Sequence, residues 1–411
     1  MTTTKNPLLE GITVLDLTRL LPGPYCTQQL AQLGATVVKI EEPNGGDYAR
    51  SLSPELFEVV NRGKQSITLD LRQSADQTCF KKLVETADVV VESFRPGVMD
   101  RLNCGYQTLH AINPKLVYAA ITGYGQTGPY AERAGHDMNY LATAGVLDQI
   151  GQAGSAPALS NVQIADLAGG AMNAAIGILA AVIGAQQSGQ GTFVDVSMTD
   201  GALAMNTVAL AGLNKTAKAP QRGADMLSGA LPNYSVYRCR DGKYIAVGAL
   251  EPQFFVRVLN GVWNSVPAPL RRPINQLIGS ATITLKSRAG KKSDRKATGG
   301  NNNMAKLSQL LDDPSKAKLV LAPMRWALRA AFATKTRDEW DQWFADKDAC
   351  VSAILNPAEA LEHPLFRERD MVAGEPGQQY FNNPIKFSHR QPPLAPSPKL
   401  GEHNPNHLIN H

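Results

Sequence analysis

The chain has 411 residues, 43% of them hydrophobic and 19% charged, enough for more than one buried core and unlike a disordered or collagenous sequence. Its five cysteines (Cys26, Cys79, Cys104, Cys239, Cys350) form no Cys-x-x-Cys or Cys/His cluster, so no structural zinc, other metal centre or disulfide framework is indicated and a reducing, cytoplasmic setting is expected. The net charge of +5 is local, because eleven Lys/Arg face three Asp between Asn264 and Val320.

From the N-terminus, Met1-Thr-Thr-Thr-Lys5-Asn-Pro7 shows no apolar signal core. Ile12–Asp16 reads as a buried strand, followed by the turn Leu21-Pro-Gly-Pro24 and a helix from about Tyr25 to Leu33 that stops at Gly34. Strands are expected at Ala35–Ile40, Ser66–Asp70, Asp88–Glu92 and Leu116–Thr122, with a helix at Phe80–Ala87. Strands separated by helices predict a doubly wound, parallel α/β sheet, whose ligands bind beyond the carboxyl ends of the strands.

Gly123-Tyr-Gly125-Gln-Thr-Gly128 matches a dinucleotide fingerprint. Pro129 and the polar residues after it offer no apolar helix, and the match falls several strands too late, so a glycine loop approaching another ligand near His136 fits better. The apolar run Val162–Ala185 is long enough to raise the question of a membrane span. Gln163, Asp166 and Asn173 interrupt it, and a buried helix in a soluble protein is expected instead. A strand at Thr192–Val196 follows. Tyr234–Cys239 and Lys243–Val247, joined by Asp241-Gly242, form a hairpin that opens a second domain. Thr336 and the charged residues after it mark a helix start, and the tail from Pro384 is Pro-rich and extended. The Lys/Arg-rich stretch near Lys286–Lys296 lacks periodicity, and no aromatic residue between Asn264 and Val320 could stack on bases. A solvated loop is expected, and no nucleic-acid partner.

Three ionisable residues carry possible chemistry. His136 is of the residue type best suited to proton transfer at physiological pH, although a helix-capping histidine is the simpler interpretation of an isolated residue. Asp166 lies among Ala165, Ala168, Gly169 and Gly170, where an apolar wall can raise a carboxyl pKa and a ligand can come close. Alone it also fits an N-cap or an ion-pair partner. Glu251, by itself, is an ordinary loop carboxylate.

The order of several motifs resembles the family III CoA-transferases and, within that superfamily, the α-methylacyl-CoA racemases. These motifs are Leu9-Glu-Gly-Ile-Thr-Val-Leu-Asp16, Leu33-Gly-Ala-Thr-Val-Val-Lys-Ile-Glu41, Asn61-Arg-Gly-Lys64, Arg95-Pro-Gly-Val98, Gly123-Tyr-Gly125, Gly135-His-Asp-Met-Asn-Tyr140, Ala165-Asp166, Phe332–Trp340 and Gly401-Glu-His403. The resemblance spans most of residues 7–263 and 325–404, and Gly-His-Asp-x-Asn-Tyr points to the racemase branch.

The resemblance implies a Rossmann-like α/β domain over 1–225 and about 345–411 that binds CoA. It implies a smaller α+β domain over 226–344, holding the basic insertion within about 264–320, and an interlocked homodimer. The implied reaction interconverts (2R)- and (2S)-2-methylacyl-CoA without a bound cofactor, the substrate itself carrying coenzyme A. His136 and Asp166 would flank the α-carbon, the N–H of Asp137 would face the thioester oxygen, and Glu251, from the other subunit, would orient His136. Leu69, Arg72 and Arg101 would lie along the nucleotide and pyrophosphate, with Arg95, Gly123, Tyr124, Gly125 and Tyr140 also on the CoA or substrate side. In the transferase branch the Asp166 position is instead a nucleophile that carries an acyl group and then CoA. Two features depart from the family: Glu42 stands where an Arg often touches the nucleotide, and the basic insertion is longer than the usual linker.

Overall fold

Six strands build the central sheet: β1 (Thr13–Asp16), β2 (Thr36–Glu41), β3 (Gln65–Thr68), β4 (Val89–Glu92), β5 (Val117–Thr122) and β6 (Phe193–Ser197). They run in the order β3-β2-β1-β4-β5-β6, and every neighbouring pair is parallel. The structure is a computed structural model and describes residues 7–266, 314–388 and 393–406. The insertion at about 264–320 therefore lies largely outside the described residues.

The strand sequences explain a sheet covered on both faces. β4 and β5 are buried along their whole length, as continuous Val/Ile/Ala runs require in a parallel sheet. Their side chains alternate between two cores. Val89, Val91, Val117, Ala119 and Ile121 pack with Leu30, Ala174 and Ile178 on one side. Val90, Tyr118 and Ala120 pack with Phe80, Leu83 and Leu109 on the other. The first face carries α1 (Pro22–Gln32), and the second carries α2 (Ser74–Val84) and α3 (Tyr106–Ile112).

Two helices start earlier than the sequence pattern predicts. Pro22 and Pro24 both fall in the first turn of α1, where a missing N–H leaves no intrahelical bond unmade. α2 begins at Ser74 because its first turn is polar, and only Phe80, Leu83 and Val84 reach the core.

A buried polar cluster anchors the first three strands. Lys64 Nζ donates to Asp16 Oδ2 at 2.9 Å, Pro24 O at 2.9 Å and Asn61 Oδ1 at 2.8 Å, using all three of its protons. Thr18 and Thr27 hydroxyls donate to the same Asp16 carboxylate. Lys64, Lys39 on β2 and these hydrogen bonds hold Asp16 well below the usual carboxylate range despite its burial, and burial lowers Lys64 to about 8. Asp16 and the Asn61-Arg-Gly-Lys64 motif are thus structural.

After β5 come α4 (Asp137–Thr143), a π-helix at Ala165–Met172, α5 (Asn173–Ser188), α6 (Met198–Ala204) and α7 (Thr207–Thr216). Met1–Ile150, Ala158–Lys218 and Leu361–His411 form one compact unit, and Gly151–Pro157 with Ala219–Ala360 form a second. The chain thus returns to the first unit at Leu361 rather than near 345, because a strand and short helix after residue 344 stay with the second.

In that second unit, β7 (Tyr234–Arg238), β8 (Tyr244–Gly248) and β9 (Val351–Ala353) form an antiparallel sheet, β7 and β8 being joined across Asp241-Gly242. Its core joins Tyr237, Ile245 and Val247 to side chains of α8 (Pro252–Ser265), α9 (Pro314–Phe332) and α10 (Arg337–Phe344). Thr336 accepts the Glu339 N–H at 3.2 Å and Glu339 accepts the Thr336 N–H at 2.7 Å, the reciprocal cap expected at the start of α10.

The tail is extended, as its prolines dictate, and binds the first unit. Gly63 N–H donates to Ala395 O at 2.9 Å, His403 N–H to Ser66 O at 2.9 Å, and Gly401 N–H to Ser66 Oγ at 3.0 Å.

Candidate active site

The loop between β5 and α4 is built around one tyrosine. Tyr140 is 6% exposed, and its hydroxyl donates to Gly135 O at 2.5 Å. A Cβ at Gly123 would lie 2.5 Å from the Tyr140 ring, and one at Gly135 would lie 2.7 Å from it. Both glycines are therefore required by space. Gly125 is required by backbone instead, at φ +84°. Tyr124 meets Tyr140 edge-on at 5.2 Å, and Thr199 Oγ1 donates to Gly123 O at 2.6 Å. No helix follows Gly128 directly, so the fingerprint-like glycines form a loop, not a dinucleotide site.

That loop delivers His136 to the N-cap of α4 in an extended conformation. Asn139 Oδ1 accepts the His136 N–H at 3.1 Å. The residues of the Gly-His-Asp-x-Asn-Tyr motif thus divide the mechanical work, with Gly135 and Tyr140 setting the loop and Asn139 tying the cap. The His136 side chain remains exposed.

Asp166 is the second residue of the π-helix and is half-buried. Its N–H donates to Asp137 Oδ1 at 3.0 Å. Burial, reinforced by the Asp137 charge, raises the Asp166 carboxyl to about 7. Burial likewise pushes the Tyr140 hydroxyl to about 12, so it stays a donor.

The expected single helix at Val162–Ala185 is one continuous helix over Ala165–Ser188, but its first eight residues are wound as a π-helix, which is pressed onto α6. A Cβ at Gly169 would lie 2.6 Å from Met198 O, and one at Gly201 would lie 2.2 Å from Gly169 O. Asn173 Nδ2 donates to Gly169 O at 2.9 Å. π-Turns of this kind concentrate at functional sites.

The structure therefore links His136, Asp137, Tyr140 and Asp166, with Asp137 bridging the two helix starts. Glu251 sits at the N-cap of α8 in the second unit, exposed. Leu69 is 5% exposed, its side chain in the core and its N–H given to Glu41 O at 2.9 Å. Arg72 is exposed but bound to Asp70 Oδ1 at 2.7 Å and Glu42 Oε1 at 3.3 Å. Arg95 and Arg101 are exposed, the latter closing the short helix Val98–Arg101.

Sequence reasoning missed a cluster at the point where strand order reverses, between β1 and β4. There the Arg19 guanidinium lies 4.9 Å from the Tyr48 ring centre and 5.0 Å from that of Phe94, with Nη1 donating to Tyr48 Oη at 3.0 Å. These residues follow β1, β2 and β4. The rule that ligands bind beyond strand ends at such a reversal could have singled them out.

Comparison with known proteins adds the chemistry of relatives. The family model described as CoA-transferase family III matches residues 9–266 and 294–404. The α-methylacyl-CoA racemase of Homo sapiens is 34% identical over 408 residues, covering 96% of this chain and 91% of that protein. The acetyl-CoA:oxalate CoA-transferase of Acetobacter aceti is 32% identical over 407 residues, covering 97% and 94%. A crystal structure of a CAIB/BAIF family protein from Brucella suis superposes with a TM-score of 0.75 at 28% identity, covering 97% of this chain and 98% of that one. Racemases and transferases thus both stand among the relatives of an α/β chain whose site joins a histidine to two aspartates. The protein belongs to CoA-transferase family III.

Proposed function

We propose that the protein is a racemase of 2-methyl-branched acyl-CoA thioesters. The observation that carries this reading is Asp166, a half-buried carboxyl raised to about 7 and tied through Asp137 to the helix that begins at His136. A carboxyl near neutrality both accepts and donates protons efficiently, and histidine does the same.

In this reading one of His136 and Asp166 removes the α-proton of the thioester. The resulting enolate oxygen faces the N–H of Asp137, a free amide at a helix N-terminus, where negative charge is stabilised. The other residue returns a proton on the opposite face, so the carbon ends inverted with no net change in atoms. The thioester itself acidifies the α-carbon. Glu251 from a second copy would orient His136, as the family resemblance implies.

Exposed apolar side chains support a second copy. Met172, Ile176 and Ile183 on the π-helix and α5, with Val208, Leu210 and Leu213 on α7, are exposed. By length and composition alone Ala165–Ser188 could cross a bilayer, with a mean hydropathy of 1.8 over its most apolar 18-residue window. Its other flank, with Ala171, Ala174, Ile178 and Val182, packs in the sheet core. That favours a protein surface against the exposed flank.

The test is incubation of a single (2R)-2-methylacyl-CoA with the enzyme in D₂O. The expected result is deuterium at the α-carbon with loss of stereochemical purity, and His136→Ala should abolish the stereochemical loss. No α-deuterium, with CoA passing to added oxalate or succinate, would establish the alternative: a CoA-transferase using Asp166 as nucleophile.

A further inference from the structure

The chemistry above uses only the N–H of Asp137, yet its carboxylate stands at the meeting of two helix starts. It occupies the first turn of α4, where the helix dipole favours a negative charge. Its Oδ1 accepts the Asp166 N–H at 3.0 Å. That N–H lies in the first turn of the π-helix and has no acceptor within its own helix.

Other ionisable groups lie on the elements packed against the π-helix. They are His136 and Tyr140 at α4, Tyr25 and Cys26 on α1, Tyr118 on β5 (its ring in the core on the other face of the sheet), Asp195 on β6 and Asp200 on α6. Burial is the main cause of the raised Asp166 carboxyl, and Asp137 is the charge that adds to it.

We propose that the Asp137 carboxylate is a positioning residue for Asp166: it fixes the Asp166 backbone through this hydrogen bond and, by its own charge, opposes loss of the Asp166 proton. The proposal deepens the racemase reading and rests on it for the role given to Asp166. One side chain then couples the geometry of the proton carrier to its ionisation. The same residue would present its amide to the enolate oxygen, so the position of α4 sets all three.

Asp137→Asn separates the two effects, because it keeps an acceptor oxygen and removes the charge. In protein labelled with ¹³C at aspartate carboxyls, with Asp166→Asn used for assignment, the Asp166 carboxyl should titrate about one pH unit lower in Asp137→Asn. The acidic limb of kcat/KM for α-deuterium exchange should move by the same amount. Asp137→Ala, which also removes the hydrogen bond, should lose about a further tenfold in kcat/KM. Rescue of that loss by Asn, with the limb still displaced, is a pattern a merely structural role would not give. An Asp166 titration unmoved in Asp137→Asn overturns the proposal whatever the activity. A titration that moves as expected in an enzyme without α-exchange instead upholds the coupling between the two carboxyls and removes the racemase reading.

Discussion

Arg72, which the family resemblance would place along the nucleotide of CoA, illustrates how neighbouring carboxylates can occupy a guanidinium. Its side chain is 65% exposed, suited to reach a phosphate, but Asp70 and Glu42 already share the guanidinium. The family resemblance would place an arginine at Glu42, so the carboxylate here would replace an attraction for phosphate with a competitor. Exposed pairs of this kind are weak, because water screens them. Glu42→Ala should therefore lower KM for a CoA thioester modestly, by about twofold. KM for the same acyl group on pantetheine, which lacks the nucleotide, should not change. Equal KM values for wild type and Glu42→Ala on the CoA thioester would show that Arg72 does not meet the nucleotide. Among single residues, Gly135, His136 and Tyr140 were legible because they are contiguous and each answers a local demand of loop, cap or anchor. Leu69 was not legible as a core side chain, since its burial depends on what α2 and β2 lay over it. Arg19, Tyr48 and Phe94 come from three separate loops, and only the strand order shows that they meet.

Among the elements, the strands were the most readable, because Val/Ile-rich runs in a parallel sheet carry their signal in a few consecutive residues. The π-helix was not readable. Its Gly/Ala composition suits an ordinary α-helix equally, and the deciding contact is Gly169 against Gly201, far apart in sequence. The Lys64–Asp16 pair, both side chains fully buried, was likewise legible only as a motif, with no hint of its role. Removing one partner of such a pair leaves an uncompensated buried charge, which costs about 3 kcal/mol or more. Lys64→Met should thus lower the thermal unfolding midpoint markedly, and Asp16→Asn/Lys64→Met should recover part of the loss. A midpoint unchanged in Lys64→Met would show that the cluster is not what holds β1 to the Asn61–Lys64 turn.

At the scale of the whole molecule, the sequence conveyed a parallel α/β unit and a second unit opened by a hairpin, though not where the chain re-enters the first. That return depends on Arg337, which joins α10 to Glu359 through two hydrogen bonds at 2.6 and 3.0 Å and so keeps residues up to Ala360 with the second unit. The exposed apolar flank of α5 and α7 bears on assembly. If a second copy covers it, sedimentation at micromolar concentration should give a dimer with no affinity for neutral lipid vesicles. A monomer, or a protein recovered with the vesicles, would contradict that assembly.

The tail's grip on β3 has a consequence for how the protein is made. β3 is an edge strand of the sheet, and its outer side is met by Gly401 and His403, whose partner Ser66 precedes them by more than three hundred residues. At about 5–20 residues per second, ribosomal synthesis leaves that edge uncovered for roughly 20–70 seconds. During this time the first-made sheet presents an open row of amides and carbonyls to any other strand. The nascent chain therefore has its greatest need of a chaperone before Gly401 and His403 emerge to cover β3.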